Sequence, residues 1–120
     1  MAPILVVDDE ADLLASYERL LRRKGYFVVS AGSRGEGLAL VAREPLALVI
    51  TDLRLPDGDG LDLVRAACRL PTPTPAMVVT GFASEASRTA SMAAGAAAFL
   101  AKPFAAFAFT SLVENTLRTG

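Results

Sequence analysis

The chain has 120 residues, the size of one domain, and 52% of them are hydrophobic, enough for one buried core. With 12 basic and 13 acidic residues the net charge is −1, which leaves no electrostatic footprint for direct nucleic-acid binding by this domain. There is no His, which excludes a Ser-His-Asp triad and a His-ligated metal centre, and the lone Cys68 cannot form an internal disulfide, which points to a reducing, cytoplasmic compartment. No apolar stretch approaches the ~20 residues of a membrane span, and the first apolar run stops at Asp8 without the basic region of a signal peptide.

The first predicted element is a strand over 3–7, where Ile4-Leu5-Val6-Val7 runs into Asp8-Asp9. Leu13, Leu14, Tyr17, Leu20 and Leu21 then recur at helical spacing. Arg22, Arg23 and Lys24 suit the last turn of that helix, and Gly25 its C-cap. A strand is expected over 26–30, and its poor alternation fits an edge only loosely. Ser33-Arg-Gly-Glu36 has the form of a capping box. The helix behind it should bury Leu38, Val41 and Ala42, although Gly35 and Gly37 each weaken it by up to ~1 kcal/mol relative to Ala. Glu44-Pro45 ends it.

Leu46-Ala-Leu-Val-Ile-Thr is the most buried-looking strand, and it ends abruptly in Asp52. Residues 53–60 (Leu-Arg-Leu-Pro-Asp-Gly-Asp-Gly) are turn-formers that cannot extend it. A helix starting near Gly60 places Leu61, Val64, Ala67 and Cys68 on one face. Cys68 reads as packing. Pro71-Thr-Pro-Thr-Pro75 favours extended backbone. Ala76-Met-Val-Val79 runs into Thr80-Gly81. A helix over 84–95 has only Met92 as a large apolar anchor and is expected to be mobile. A strand over 97–101 leads into Lys102-Pro103. A last helix, over 105–118, carries Phe107 and Phe109; two positions apart, they cannot share a face, so Phe109 should point inward and Phe107 should be at least partly exposed.

Five strands alternating with five helices predict one α/β domain over 1–120, with a parallel sheet covered on both faces through right-handed crossovers. Parallel strands would bring Asp8, Asp9, Asp52, Thr80 and Lys102 to one rim, at the carboxyl ends where open α/β sheets do chemistry. Clustered carboxylates repel, and a divalent cation removes the conflict. Three hard oxygen donors with open positions suit Mg²⁺. Lys102 and Thr80 can neutralise and hydrogen-bond phosphoryl oxygens, and Asp52 is the acid best placed to be phosphorylated. With no His in the chain, the phosphoryl group must come from outside. Asp57-Gly-Asp59-Gly hints at a calcium loop, but the following ligand spacing and terminal Glu are missing.

Together, Val-Val-Asp8-Asp9-Glu10, Asp52-Leu-Arg-Leu-Pro56-Asp-Gly-Asp-Gly60, Val-Val-Thr80-Gly81 and Phe99-Leu-Ala-Lys102-Pro103-Phe104 resemble the receiver domain of two-component response regulators, the CheY-like family. The resemblance covers essentially the whole chain. It implies a doubly wound (βα)5 flavodoxin-like three-layer sandwich with strand order 2-1-3-4-5. It implies that Asp52 accepts a phosphoryl group from a sensor histidine kinase or phosphotransfer protein. Asp8, Asp9, Asp52 and the backbone carbonyl of Arg54 would bind Mg²⁺, Lys102 would contact the phosphoryl group, and the bond before Pro103 would be cis. Thr80 would move inward on phosphorylation. Phe99 would be either the rotating aromatic of the switch or plain core. The face of the last two helices and last strand would then control an effector or output domain, with phosphorylation-dependent dimerisation as a further implication. Such a domain is a switch that assists its own phosphorylation and dephosphorylation, not an enzyme. Helix 105–118 departs from the family in opening with Ala105-Ala106, where an acidic cap is frequent.

Other readings stay in view. A pseudo-receiver acting only as a docking module would not need the full acidic and lysine set. An aspartate-nucleophile phosphatase needs a second acid two residues after the nucleophile, where this chain has Arg54. A flavin carrier needs a Ser/Thr/Gly-rich phosphate loop after the first strand, and none is present. Arg54 and Phe82, each two residues past Asp52 and Thr80, are expected to set the lifetime of a phosphorylated state.

Overall fold

The computed structural model describes residues 2–119. Five parallel strands form the sheet: β1 (Ile4–Val7), β2 (Val28–Ala31), β3 (Leu48–Thr51), β6 (Ala76–Thr80) and β7 (Ala98–Ala101), in the order β2-β1-β3-β6-β7. Counting these five alone, the order is the expected 2-1-3-4-5. Five helices alternate with them: α1 (Ala11–Arg23), α2 (Arg34–Arg43), α3 (Leu61–Cys68), α4 (Glu85–Ala94) and α5 (Ala106–Thr119). The turn-formers after Asp52 do not extend β3. They fold back as a two-residue antiparallel ladder, β4 (Arg54–Leu55) with β5 (Gly58–Asp59).

The unbroken apolar runs hide a period-two division between the faces. Leu5, Val7 and Val49 pack with Val41 of α2 and Leu63, Val64 and Ala67 of α3. Ile4, Val6, Leu48 and Ile50 pack on the other side with Tyr17 and Leu21 of α1 and Phe109 and Val113 of α5. Phe109 is fully buried and Phe107 is 80% exposed, as their spacing requires. No helix among the described residues is long and apolar enough to cross a membrane.

Several local expectations shift. The strand expected over 26–30 begins at Val28, because Tyr26 and Gly25 are used to close α1. Gly25 lies at φ +89°, its N–H donates to the Arg22 carbonyl, and the Tyr26 N–H donates to the Leu21 carbonyl. Ala42 is exposed. The buried positions of α2 are Val41 and Gly37. A Cβ on Gly37 would meet Leu63 Cδ2 at 2.8 Å and Val7 Cγ2 at 3.0 Å, so this glycine lets α2 sit close to the sheet. Its propensity cost is offset by packing that no local reading detects. In α3, Leu63 joins Leu61, Val64 and Ala67 in the core, while Cys68 is only half-buried.

Helix α4 is bounded by a Ser84–Ser87 capping box and by Gly95 at φ +111°. Met92 does not anchor it. Met92 is 44% exposed, and the buried residue of the helix is Ser91, whose hydroxyl donates to the Ser87 carbonyl at 2.7 Å.

Candidate functional site

Asp8, Asp52 and Lys102 each lie one residue past the end of a strand, and the backbone ladders run on through them. The Asp8 N–H donates to the Ala31 carbonyl, the Asp52 N–H to Val7 and the Lys102 N–H to Thr80. Asp8 and Asp52 therefore start from neighbouring strands on the C-terminal rim, Lys102 starts on the same rim two strands beyond Asp52, and the three side chains meet. Lys102 Nζ lies 2.8 Å from Asp8 Oδ2 and 2.8 Å from Asp52 Oδ2. Asp8 is 1% exposed and Asp52 6%. Glu10 Oε1, at the exposed edge, is 3.9 Å from the same ammonium.

The remaining carboxylate oxygens are held by backbone. Asp8 Oδ1 accepts the Glu10 N–H at 3.0 Å. Asp52 Oδ1 accepts the Leu53 N–H at 2.6 Å and, more weakly, the Arg54 N–H at 3.4 Å. Burial by itself would pull the Lys102 pKa down, but the hydrogen bonds the ammonium donates to Asp52 and Asp8, and the charges of those carboxylates, outweigh it and hold the ammonium above the ordinary lysine range. Two buried carboxylates around one ammonium still leave an excess of negative charge.

Thr80 is fully buried at the end of β6, and its Oγ1 accepts the Phe82 N–H at 3.1 Å. Phe99 in β7 is half-buried, with the Arg88 guanidinium 5.7 Å from its ring centre. The Lys102–Pro103 bond is cis. Asp9 is exposed beside Asp8. Among the described residues no three His, Cys, Asp or Glu side chains form a ready-made metal cluster. The pair that is brought together, Asp8 and Asp52, has the hard oxygens and surplus charge that fit a small divalent cation such as Mg²⁺.

Three features were not legible as contacts in the sequence. The Arg54 guanidinium lies 3.8 Å from the centre of the half-exposed Phe82 ring, so the residues following Asp52 and Thr80 touch across the mouth of the site. Gly60 packs directly on the backbone of Asp52, and a Cβ there would overlap the Asp52 carbonyl oxygen. Behind Lys102, Tyr17 stacks with Phe104 and Phe109 at centroid distances of 6.0 and 5.1 Å. The Tyr17 hydroxyl is buried without a hydrogen-bond partner. Burial, then the charges of Asp8, Asp52 and Glu10, push its pKa far above the ordinary tyrosine value. A cleft of about 570 Å³ between α1 and the β7–α5 connection is walled by Glu10, Leu13, Tyr17, Lys102, Pro103 and Phe104.

Residues 4–114 match the family model of the response regulator receiver domain. The chain is 40% identical over 114 residues to the response regulator protein PilR of Pseudomonas aeruginosa, covering 95% of this chain and 26% of PilR. A crystal structure of a CheY-like receiver domain protein from Methanospirillum hungatei superposes with a TM-score of 0.93 at 34% identity, covering 99% of this chain and 95% of that one. A response regulator from Burkholderia pseudomallei, solved with a phosphorylated aspartic acid, calcium ion and citrate, superposes at 0.83 with 29% identity, covering 100% of this chain and 76% of that one. The chain spans about a quarter to a half of the curated relatives it matches, 26% of PilR and 49% of the transcriptional regulatory protein PrrA. The family model spans nearly the whole length of this parallel sheet and its helices, and the chain belongs to the response regulator receiver domain family.

Proposed function

We propose that the domain is a phosphorylation-dependent switch in which Asp52 accepts one phosphoryl group from a histidine kinase, a phosphotransfer protein or a small phosphodonor. The observation that carries this reading is the Asp8–Lys102–Asp52 bridge at 2.8 Å on each side, buried at the rim. As Asp52 attacks, its O–P bond forms while the bond from phosphorus to the donor breaks, and the electron pair returns to the donor. The N–H groups of Leu53 and Arg54 orient the carboxylate, and the Lys102 ammonium neutralises charge on the transferred oxygens. Asp8, Asp9, Asp52 and the Arg54 carbonyl would hold Mg²⁺. Bound there, the ion supplies a second positive centre for the phosphoryl oxygens.

The buried Thr80 hydroxyl would reach for the new phosphoryl oxygens. Thr80 and Phe99 would then bias α4, β7 and α5 toward a second arrangement. The effector, an output domain or a second copy, would read that face inside the cytoplasm. The phosphorylated aspartic acid and calcium ion in the Burkholderia pseudomallei relative support the chemistry.

The test is to incubate the protein with Mg²⁺ and a small phosphodonor and weigh it. One phosphoryl group on the native chain and none on Asp52→Asn is the expected result. Undiminished uptake by Asp52→Asn overturns the assignment.

A further inference from the structure

The first turn of α2 has its free N–H groups satisfied, and two of them go to a residue outside the helix. Ser33 Oγ accepts the Glu36 N–H at 3.2 Å, and the helical ladder starts with the Gly37 N–H on the Ser33 carbonyl. Between them, Asp57 Oδ1 accepts the Arg34 N–H at 2.7 Å and Asp57 Oδ2 accepts the Gly35 N–H at 2.8 Å. Those two N–H groups hold the Asp57 carboxyl below the ordinary carboxylate range. A carboxylate across a helix N-terminus is stabilised by both the hydrogen bonds and the helix dipole.

Asp57 sits at the tip of the β4–β5 hairpin, and the base of that hairpin is the acceptor site. Leu53 and Arg54 donate to Asp52 Oδ1, and the Gly60 N–H closes the loop on the Leu53 carbonyl at 2.8 Å. Hydrophobic burial does little for the tip, since Pro56, Asp57, Gly58 and Asp59 are all exposed. Close packing supports the polar clamp instead. Gly58, at φ +148°, leaves room for Arg34, whose Cδ would lie 2.7 Å from a Cβ there. The Arg34 guanidinium then reaches Asp62 of α3 at 2.8 Å.

We propose that Asp57 is a positioning residue for the chemistry at Asp52. By tying the hairpin tip to α2, it keeps the Leu53 and Arg54 N–H groups on the acceptor carboxylate. This deepens the reading of Asp52 as phosphoacceptor and rests on it. The clamp works through the backbone and never touches the transferred group.

The test compares Asp57→Ala, Asp57→Asn and Ser33→Ala by two readouts. One is amide hydrogen exchange at Leu53 and Arg54 in the unphosphorylated protein. The other is the rate of phosphorylation by a small phosphodonor in Mg²⁺. In Asp57→Ala both should change by about threefold to thirtyfold, the span of a lost helix cap, with exchange faster and phosphorylation slower. Asp57→Asn should fall between, because its amide keeps one acceptor oxygen. Ser33→Ala removes a cap from the same helix without touching the hairpin, so it should loosen Glu36 and leave both readouts as in the native chain.

Native exchange at Leu53 and Arg54 and a native rate in Asp57→Ala would overturn the proposal. So would Ser33→Ala behaving like Asp57→Ala, since the effect would then be one of helix stability. Should Asp52 prove not to be the acceptor, the rate arm fails for every chain, whereas the exchange arm still decides the clamp.

Discussion

Replacing Lys102 by Met should cost far more than neutralising either acid it bridges. The Lys102 side chain is 13% exposed, and its ammonium sits between carboxylate side chains that are 1% and 7% exposed. Removing it leaves two buried like charges facing one another. Stripping one partner from a buried pair costs ~3–5 kcal/mol, and the lower end applies because the Lys102 side chain is not fully buried. With an unfolding entropy of ~2 cal/mol/K per residue, a loss of about 3 kcal/mol lowers Tm by about 12 °C in 120 residues. Asp52→Asn or Asp8→Asn instead leaves one lysine with one carboxylate, and each should lie within about 1 kcal/mol of the native chain.

The assay is thermal denaturation at neutral pH without divalent cation. The pH arm has a definite sign. The folded pKa of Lys102 is raised, so its contribution is complete below the unfolded lysine value and is lost as pH rises through the folded one. The gap between native and Lys102→Met should therefore hold through neutral pH and close only in that alkaline window. Equal Tm for native and Lys102→Met, or a larger loss in Asp52→Asn, would refute the picture of one ammonium balancing two acids.

Mg²⁺ should raise Tm of the native chain, by about 3 kcal/mol of stabilisation at a hundredfold excess over Kd, and should do so much less in Asp8→Asn, as read by the same melts. The exposed Arg54–Phe82 stack is worth ~0.5–1 kcal/mol, so Arg54→Ala and Phe82→Ala should each change the dephosphorylation rate of Asp52 by about two- to fivefold, and the double variant no further. Unchanged decay of the phosphorylated form would dismiss any role for the pair. Gly60→Ala has no room beside the Asp52 carbonyl and should lose more than ~4 kcal/mol, visible as a collapse in soluble yield or Tm. Tyr17→Phe deletes an orphaned hydroxyl while keeping the ring stack, and should be neutral or stabilising by about 1 kcal/mol in urea titration.

What could be read from the chain was whatever depended on neighbours in sequence. Each main strand showed itself as an apolar run, and Asp8, Asp52, Thr80 and Lys102 showed themselves by interrupting or closing one. Given parallel strands, the meeting of Asp8, Asp52 and Lys102 followed from topology. What escaped was set by residues far along the chain. Gly37 looked like a weak point in α2, because its reason for being glycine is Leu63 in another helix. Met92 looked like an anchor, yet it faces outward while Ser91 is buried. Asp57 looked like one more turn residue, because the N–H groups it serves lie 23 and 22 positions earlier. Arg54 and Phe82 were both singled out, but their contact depends on how two loops lean together, and no local pattern encodes that.

The bridge joins residues 94 and 50 positions apart, on strands that only the finished sheet, with β6 between β3 and β7, holds at one rim. A chain emerging from the ribosome therefore has no charge-balanced Asp8–Asp52 pair until Lys102 has cleared the exit tunnel and β7 has docked. In the switch proposed above, half-made or partly melted copies would stay silent, and the domain would certify its own fold before carrying a message.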